Sequence, residues 1–341
     1  MSSETIMLPL RERMSYGALV AYLALLVLVL AAGSLSIGYG PLDMRAAATD
    51  ALQGRATLGA LVLVELRIPR MLLGGLVGFS LGMAGAAMQG LLRNPLAEPG
   101  ITGVSGMAAL GAVIVFYFGL AGGAPFILPL GGIAGAAVAT FMLYGIAGQG
   151  AGTMTLILAG VAINSFAGAL TSLALNLAPN PYAVTEIVYW LLGSLADRSL
   201  QYVWLVLPLM IVGWVLLAMT GPALDSLTLG EDTAASMGFN LTRLRMQLIA
   251  GTALCVGSAV AVTGSVAFVG LVVPHLLRPW VRQQPGKLLL VSGLGGAALT
   301  LLADVLVRSL PIRPELKLGV VMAMIGAPFL FALIWRLRSE A

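Results

Sequence analysis

"RMLLGGLVGFSLGMAGAAMQGLLRNPLAEPG", residues 70–100, sets the terms on which the rest of the chain has to be read. Between Arg70 and Arg93 it carries no charge, and Gly74, Gly78, Gly82 and Ala86 recur four apart. About twenty apolar residues in a helix span a bilayer's hydrocarbon core, and small residues at this spacing let membrane helices approach closely. The run then breaks into a segment with Arg93, Glu98, two prolines and a glycine. Proline removes a backbone donor and glycine admits turn conformations. Within a membrane such backbone is tolerated only where protein or water satisfies it, so "RNPLAEPG" is expected at the mouth of a pathway.

The composition agrees with that reading. Of 341 residues, 59% are hydrophobic and 9% charged, with a mean hydropathy of +1.00, against roughly 25% charged in soluble domains. Ten apolar segments follow one another, near 16–38, 68–91, 99–118, 126–147, 154–177, 201–220, 246–263, 266–277, 287–307 and 318–335. Backbone groups in hydrocarbon must pair within their own segment, so runs of this length are expected as helices. The fold class is an all-α polytopic membrane protein, a single transmembrane domain over 1–341. The first run exceeds a signal-peptide core and is expected to be retained. With both ends inside, ten of the 18 basic residues fall in inner loops, a weak inward bias. The net charge of +4 belongs to loops and does not describe a nucleic-acid surface.

Several function classes fall away. A phosphate-cradling G-x-x-x-x-G-K-[ST] loop is absent, since Lys287 and Lys317 are each followed by leucine. The chain is therefore not expected to hydrolyse ATP itself. One histidine, His275, and one cysteine, Cys255, cannot assemble a soft or imidazole metal cluster; a transported metal would arrive wrapped in a chelator. Within the apolar segments Asp304 is the one clear carboxylate, placed to pair with Arg308 at i,i+4. Proton-driven carriers usually need relays of such groups. "GVSG" at 103–106 matches a serine-protease motif only superficially, with His275 too remote in sequence and at a helix end, where a hydrogen-bonding role is expected. A carrier driven by a sodium gradient stays open.

A faint repeat links "RMLLGGLVGFSLGMAG" from Arg70 to "RMQLIAGTALCVGSAV" from Arg245. Five segments lie between the two starts, the inverted arrangement common in transporters. Between segments six and seven, "LGEDTAASMGFN" (229–240) forms a short amphipathic stretch in a long loop, with Glu231 and Asp232 in its first turn.

Taken in order, "RIPRMLLGGLVGFSLGMAGAAMQGLLRNPLAEPGITGVSG" (67–106), "LAGVAINS" (158–165), "YWLLGSLAD" (189–197), "LGEDTAASMGFN" (229–240), "GSVAFVGLVVPHLLR" (264–278), "LLADVLVR" (301–308) and "ELKLGVVMAMIGAPFLFALI" (315–334) resemble the FecCD family. These are permeases of ATP-binding-cassette importers for iron-siderophores, haem and cobalamin. The chain departs from that pattern at Lys317 and Met322, where the family usually shows proline and threonine.

The resemblance implies the type II importer architecture, with a cytoplasmic tail over 1–15 and a coupling loop over 220–246. It also implies a second permease subunit, identical or related, two cytoplasmic ATPases that use ATP and magnesium, and a periplasmic or lipid-anchored binding protein. No cofactor is expected on this chain. Leu229, Gly230, Glu231, Ala234 and Gly238 would contact the ATPase; Arg67, Arg70 and Arg308 would dock the binding protein; Asn94, Leu96, Gly150 and Thr153 would form a cytoplasmic gate. The implied location is the bacterial inner membrane with cytoplasmic termini, and the implied cargo a bulky metal chelate, a ferric siderophore before haem or cobalamin.

Overall fold

A computed structural model of the chain describes residues 14–38, 42–120, 124, 126–148, 152–178, 180–312 and 314–340, and the rest, including residues 1–13 of the tail expected over 1–15, lies outside the described residues. The described residues are helical throughout, without a strand. In chain order the helices are α1 (Tyr16–Ser36), α2 (Met44–Leu52), α3 (Leu58–Leu92), α4 (Val104–Tyr117), α5 (Ile127–Ala147), α6 (Thr153–Asn176), α7 (Pro181–Leu191), α8 (Leu200–Ala218), α9 (Gly221–Leu227), α10 (Glu231–Ser236), α11 (Leu241–Thr263), α12 (Val269–Leu277), α13 (Pro285–Ser309) and α14 (Leu318–Glu340). Each of the ten apolar segments coincides with one of them.

Their ends follow local chemistry. Ser15, Asn180 and Asn240 cap α1, α7 and α11 by accepting from the backbone N–H three residues on, at 3.2, 2.9 and 2.9 Å. α3 stops at Arg93, whose φ of 48° lets Asn94 N–H return to the Gln89 carbonyl and Arg93 N–H to that of Gly90. The third segment starts late: Pro99–Thr102 is a 3-10 turn, and helix begins only after Gly103, at φ 77°. Conversely, α3 begins ahead of its apolar run, through a π-helical turn over Val62–Arg67. The amphipathic α7 was not among the ten segments, because Glu186 and its polar flank dilute its hydropathy.

Burial separates centre from periphery. In the most apolar stretches of α3, α11 and α13, 72%, 78% and 61% of residues are buried, against 17% in α1 and 28% in α6 and α8. The first three form the centre, and the others present apolar faces outward, as lipid-facing helices do. Lipid removes the usual hydrophobic drive between helices, so close packing must hold the centre together. At the α3–α13 contact, a Cβ on Gly82 would lie 2.0 Å from the Ser292 carbonyl oxygen, and one on Gly78 would lie 2.3 Å from that of Gly296. Backbone meets backbone there, so nothing can swing aside. Gly82→Ala is therefore expected to destabilise the chain by about 1–3 kcal/mol through forced separation of the helices, seen as a lower melting temperature of the detergent-purified protein. An unchanged melting temperature would contradict this packing.

The two repeat starts fall in α3 and α11. Each of these helices leads through an irregular segment into a shorter helix opened by a left-handed residue, Gly103 before α4 and Phe268 (φ 69°) before α12. A bulky aromatic in that conformation costs roughly 1–3 kcal/mol, which marks the α11–α12 break as a constrained place.

Candidate functional site: a charged rim, a central cavity and a loop helix

Where α1 and α13 finish and the apolar part of α3 starts, several charges gather in a chain with only 9% charged residues. Asp304 on α13 is 1% exposed, accepts from Arg70 Nε (2.9 Å) and Nη2 (2.8 Å), and is ion-paired with Arg308, whose Nε lies 3.0 Å from Oδ2. The expected Asp304–Arg308 pair is thus present, joined by Arg70, which also holds Glu315 ahead of α14. Arg308 donates to the Ser34 carbonyl (2.9 Å), the Ile37 carbonyl (2.6 Å) and Ser34 Oγ (2.6 Å). Arg67 donates to the carbonyls of Leu35 (2.7 Å) and Ser36 (3.1 Å). The last turn of a helix leaves carbonyls without intrahelical partners and carries partial negative charge, so two arginines cap α1 from neighbouring helices.

All three arginines expected to dock a partner therefore have partners within the chain. They nonetheless surround a cavity of about 450 Å³, which Arg198 and Lys317 also line together with Asp197 and Glu315. Arg198 donates from Nε to the Val262 carbonyl (2.7 Å) and lies over the Tyr202 ring at 5.2 Å. Lys317 lies over the Tyr189 ring at 5.3 Å. Its departure from the family pattern adds a cation to this rim. The other departure, Met322, is fully buried in the core.

Deeper in the bundle a cavity of about 630 Å³ lies between α3, α4, α6, α11 and the α11–α12 break. Its walls are mostly apolar, with Leu81, Ile101, Val161 and Val260 among them, and its polar groups are Ser105, Asn164, Ser165, Ser265 and a single carboxylate, Glu98. Glu98 Oε1 accepts from the Phe268 N–H at 2.8 Å, closing a contact between residues 170 apart in sequence. Cavities of this size with sparse polar groups are the usual form of small-molecule sites. Among the described residues no three His, Cys, Asp or Glu side chains come together. His275 does not line the cavity. Its Nδ1 is buried with no hydrogen-bond partner among the described residues, and its ring meets Phe329 edge-on with centroids 5.6 Å apart. The expected place at a helix end holds, in the last turn of α12, while the expected hydrogen bond is not made at Nδ1.

The expected gate residues are only partly brought together. Asn94 is exposed and its Oδ1 accepts from the Leu96 N–H at 2.9 Å, a side-chain turn that sets the start of the irregular segment. Neither Asn94 nor Leu96 lines the 630 Å³ cavity, whose wall begins at Glu98. Gly150 lies outside the described residues, and Thr153 is described only as the first residue of α6. Glu98, Asn164 and Ser265 were not assigned a role from sequence, although each sits in a motif quoted above. The available signal was an acidic residue inside a Gly/Pro-rich break in a chain with few charges.

The amphipathic loop stretch sits at the opposite end of α13 from Arg308. There Asp225 of α9 accepts from the Gly286 N–H at the start of α13, at 2.7 Å. The expected short helix is present as α10, opened by Gly230 and followed by Gly238, at φ 109° and 91°. Arg245 Nη2 holds Glu231 Oε2 at 2.8 Å and so ties α10 to α11. Leu229 and Met237 are 66% and 58% exposed, while Ala234 is fully buried and anchors α10 to the protein. Leu229 and Met237 thus form an exposed apolar pair flanking α10.

Residues 23–336 match the FecCD transport family. The chain is 33% identical over 332 residues to the hemin transport system permease protein HmuU of Yersinia pestis, covering 94% of this chain and 96% of that one. It is 35% identical over 298 residues to the Fe(3+) dicitrate transport system permease protein FecC of Escherichia coli, covering 83% and 85%. To the vitamin B12 import system permease protein BtuC of Vibrio cholerae it is 38% identical over 275 residues, covering 80% and 81%. Among solved structures, a metal-chelate type ABC transporter in an inward-facing conformation superposes with a TM-score of 0.82 at 29% identity, covering 94% of this chain and 99% of that one. The chain belongs to the FecCD transport family.

Proposed function

We propose that the chain is the membrane-spanning permease subunit of an ATP-binding-cassette importer, carrying a bulky metal chelate through the cavity beside Glu98. The observation that carries this reading is the 630 Å³ apolar cavity between two irregular breaks, in a chain that matches the importer family from 23 to 336. Such a cavity solvates a large ligand weakly, as a pathway must if its cargo is to leave. The chain has no phosphate-cradling sequence, so the work comes from partner ATPases. We take the assembly to hold a second permease subunit, two cytoplasmic ATPases using ATP and magnesium, and a periplasmic or lipid-anchored binding protein, in a bacterial inner membrane with the chain termini cytoplasmic. No resident cofactor is required.

The relatives' names span hemin, Fe(3+) dicitrate and vitamin B12; we favour a ferric siderophore as cargo on family frequency. Arg67, Arg70 and Arg308, held by chain partners, would guide the binding protein through their field at the rim, because complementary charge steers encounter and register. Arg198 and Lys317 would add to that field. Leu229, Gly230, Glu231, Ala234 and Gly238 would transmit the ATPase stroke.

The test is uptake into liposomes of a ferric hydroxamate, hemin and cyanocobalamin, offered separately with the matching binding protein. The expected result is uptake of one of them that needs internal ATP and the co-purified ATPase, with none by the chain alone. Uptake by the purified chain alone, driven by an ion gradient, would overturn the reading.

A further inference from the structure

Two irregular segments from the two halves of the chain meet at the central cavity, and one side chain joins them. From the first half, Glu98 stands at the start of the Pro99–Thr102 turn. From the second, Ser265 to Gly270 carries the break between α11 and α12. The Phe268 amide is the first donor of α12, and its carbonyl already accepts from Leu271 and Val272 at 3.1 and 2.9 Å. Glu98 satisfies that amide with a carboxylate at 2.8 Å, and negative charge at a helix N-terminus is favourable.

The surroundings leave this junction little freedom. Phe268 is held left-handed, and its ring fills the place of a side chain on α14: a Cβ on Gly326 would lie 2.1 Å from Phe268 Cγ. On the other side, a Cβ on Gly270 would lie 2.7 Å from Pro99 Cδ, and one on Gly85 of α3 would lie 2.0 Å from the Gly270 carbonyl oxygen. The loop, the half-helix, α3 and α14 thus meet at Phe268 and Gly270. In this junction the Glu98–Phe268 bond is a charged hydrogen bond across the cavity wall, replaceable without moving any packed backbone.

We propose that Glu98 is the positioning residue of the translocation pathway, holding the N-terminus of α12 against the "RNPLAEPG" segment so that this wall opens only when their hydrogen bond breaks. The inference rests on the permease reading for its meaning, yet the bond can be tested without cargo or ATPase. Ser265 is exposed and lines the cavity, and Cys255, the only native cysteine, is fully buried. Ser265→Cys in the full chain, in liposomes, therefore reports on this wall through its rate of labelling by a membrane-impermeant maleimide.

In that background Glu98→Ala is expected to label about tenfold faster, the scale set by losing a hydrogen bond to a charged group. Glu98→Gln keeps an acceptor of the same length without the charge and is expected to fall between parent and alanine. Should the alanine variant insert poorly, the glutamine variant alone carries the comparison. In the complete complex, the ratio of cargo-stimulated to basal ATP hydrolysis should fall in the same order, which a purely structural residue would not produce at unchanged melting temperature. Labelling at the parent rate in both variants overturns the proposal. A parent complex without cargo-stimulated hydrolysis overturns the permease reading instead, and leaves the labelling result standing.

Discussion

Replacing Asp304 with alanine is expected to destabilise the chain by about 3–5 kcal/mol, more than any other single change at the charged rim. The carboxylate is 1% exposed and is ion-paired with two guanidinium groups, Arg70 at 2.8 Å and Arg308 at 3.0 Å. Remove it and two cations remain side by side. Arg70 keeps Glu315, but Arg308, itself 6% exposed, keeps only the neutral groups at the end of α1. A buried pair that loses one partner costs far more than the intact pair contributes, because the survivor stays desolvated and uncompensated. Asp304→Asn, which keeps an acceptor, should cost less. In Asp304→Ala/Arg308→Leu the stranded charge is gone, so the double variant should recover part of the loss; recovery stays partial because Arg308 also caps α1. The check is thermal unfolding in detergent, with monodispersity followed by size-exclusion chromatography. An Asp304→Ala chain that melts with the parent would show that the rim does not hold α1, α3 and α13 together.

Asp304 also shows what a sequence can and cannot carry. Its pairing with Arg308 is visible because four residues on a helix is a local distance. Arg70, 234 residues away, is not, and neither are the α1 carbonyls that hold Arg67 and Arg308. An arginine at a helix end reads the same whether it faces a partner protein or a neighbouring helix. The ten apolar segments were legible as helices because lipid imposes one rule on every backbone group it touches; among the described residues seven of these helices are long and apolar enough to cross a membrane, and three are shorter. Failures came where tertiary contact replaced that rule. The helix of segment three starts at Val104 because Gly103 is left-handed, and α7 exists because Asn180 caps it and Ile187 and Trp190 bury one side. The cavity was anticipated as a place, near the proline-rich break, but its carboxylate was not singled out. Glu98 acquires its role only from the Phe268 amide across the bundle.

Gly230 offers the second large effect, and it acts on coupling with little effect on stability. Its backbone lies at φ 109° and ψ 158°, a region that only glycine enters freely. A Cβ there would meet nothing closer than Thr233 Oγ1 at 4.0 Å, so Gly230→Ala adds no clash, and its whole cost is local backbone strain of roughly 1–3 kcal/mol. The chain relieves that strain by turning at Gly230, which redirects α10 and moves Leu229 and Met237, the apolar pair that the proposed function assigns to the ATPase. The fixed point on the other side is Ala234, fully buried, with the Arg245–Glu231 pair beside it. The apolar helices and the cavity are untouched. We therefore expect Gly230→Ala to melt within a few degrees of the parent, yet to lose roughly tenfold or more of its affinity for the ATPase, since about 1.4 kcal/mol corresponds to tenfold. Co-purification at graded detergent and salt, with cargo-stimulated hydrolysis alongside, measures both. Ala235→Ser, on the same exposed helix without a backbone constraint, is the control and should couple normally. If Gly230→Ala couples as the parent does while Ala235→Ser fails, the ATPase reads individual side chains of α10. If the reverse holds, it reads the direction of the helix, and the left-handed glycine is what aims it.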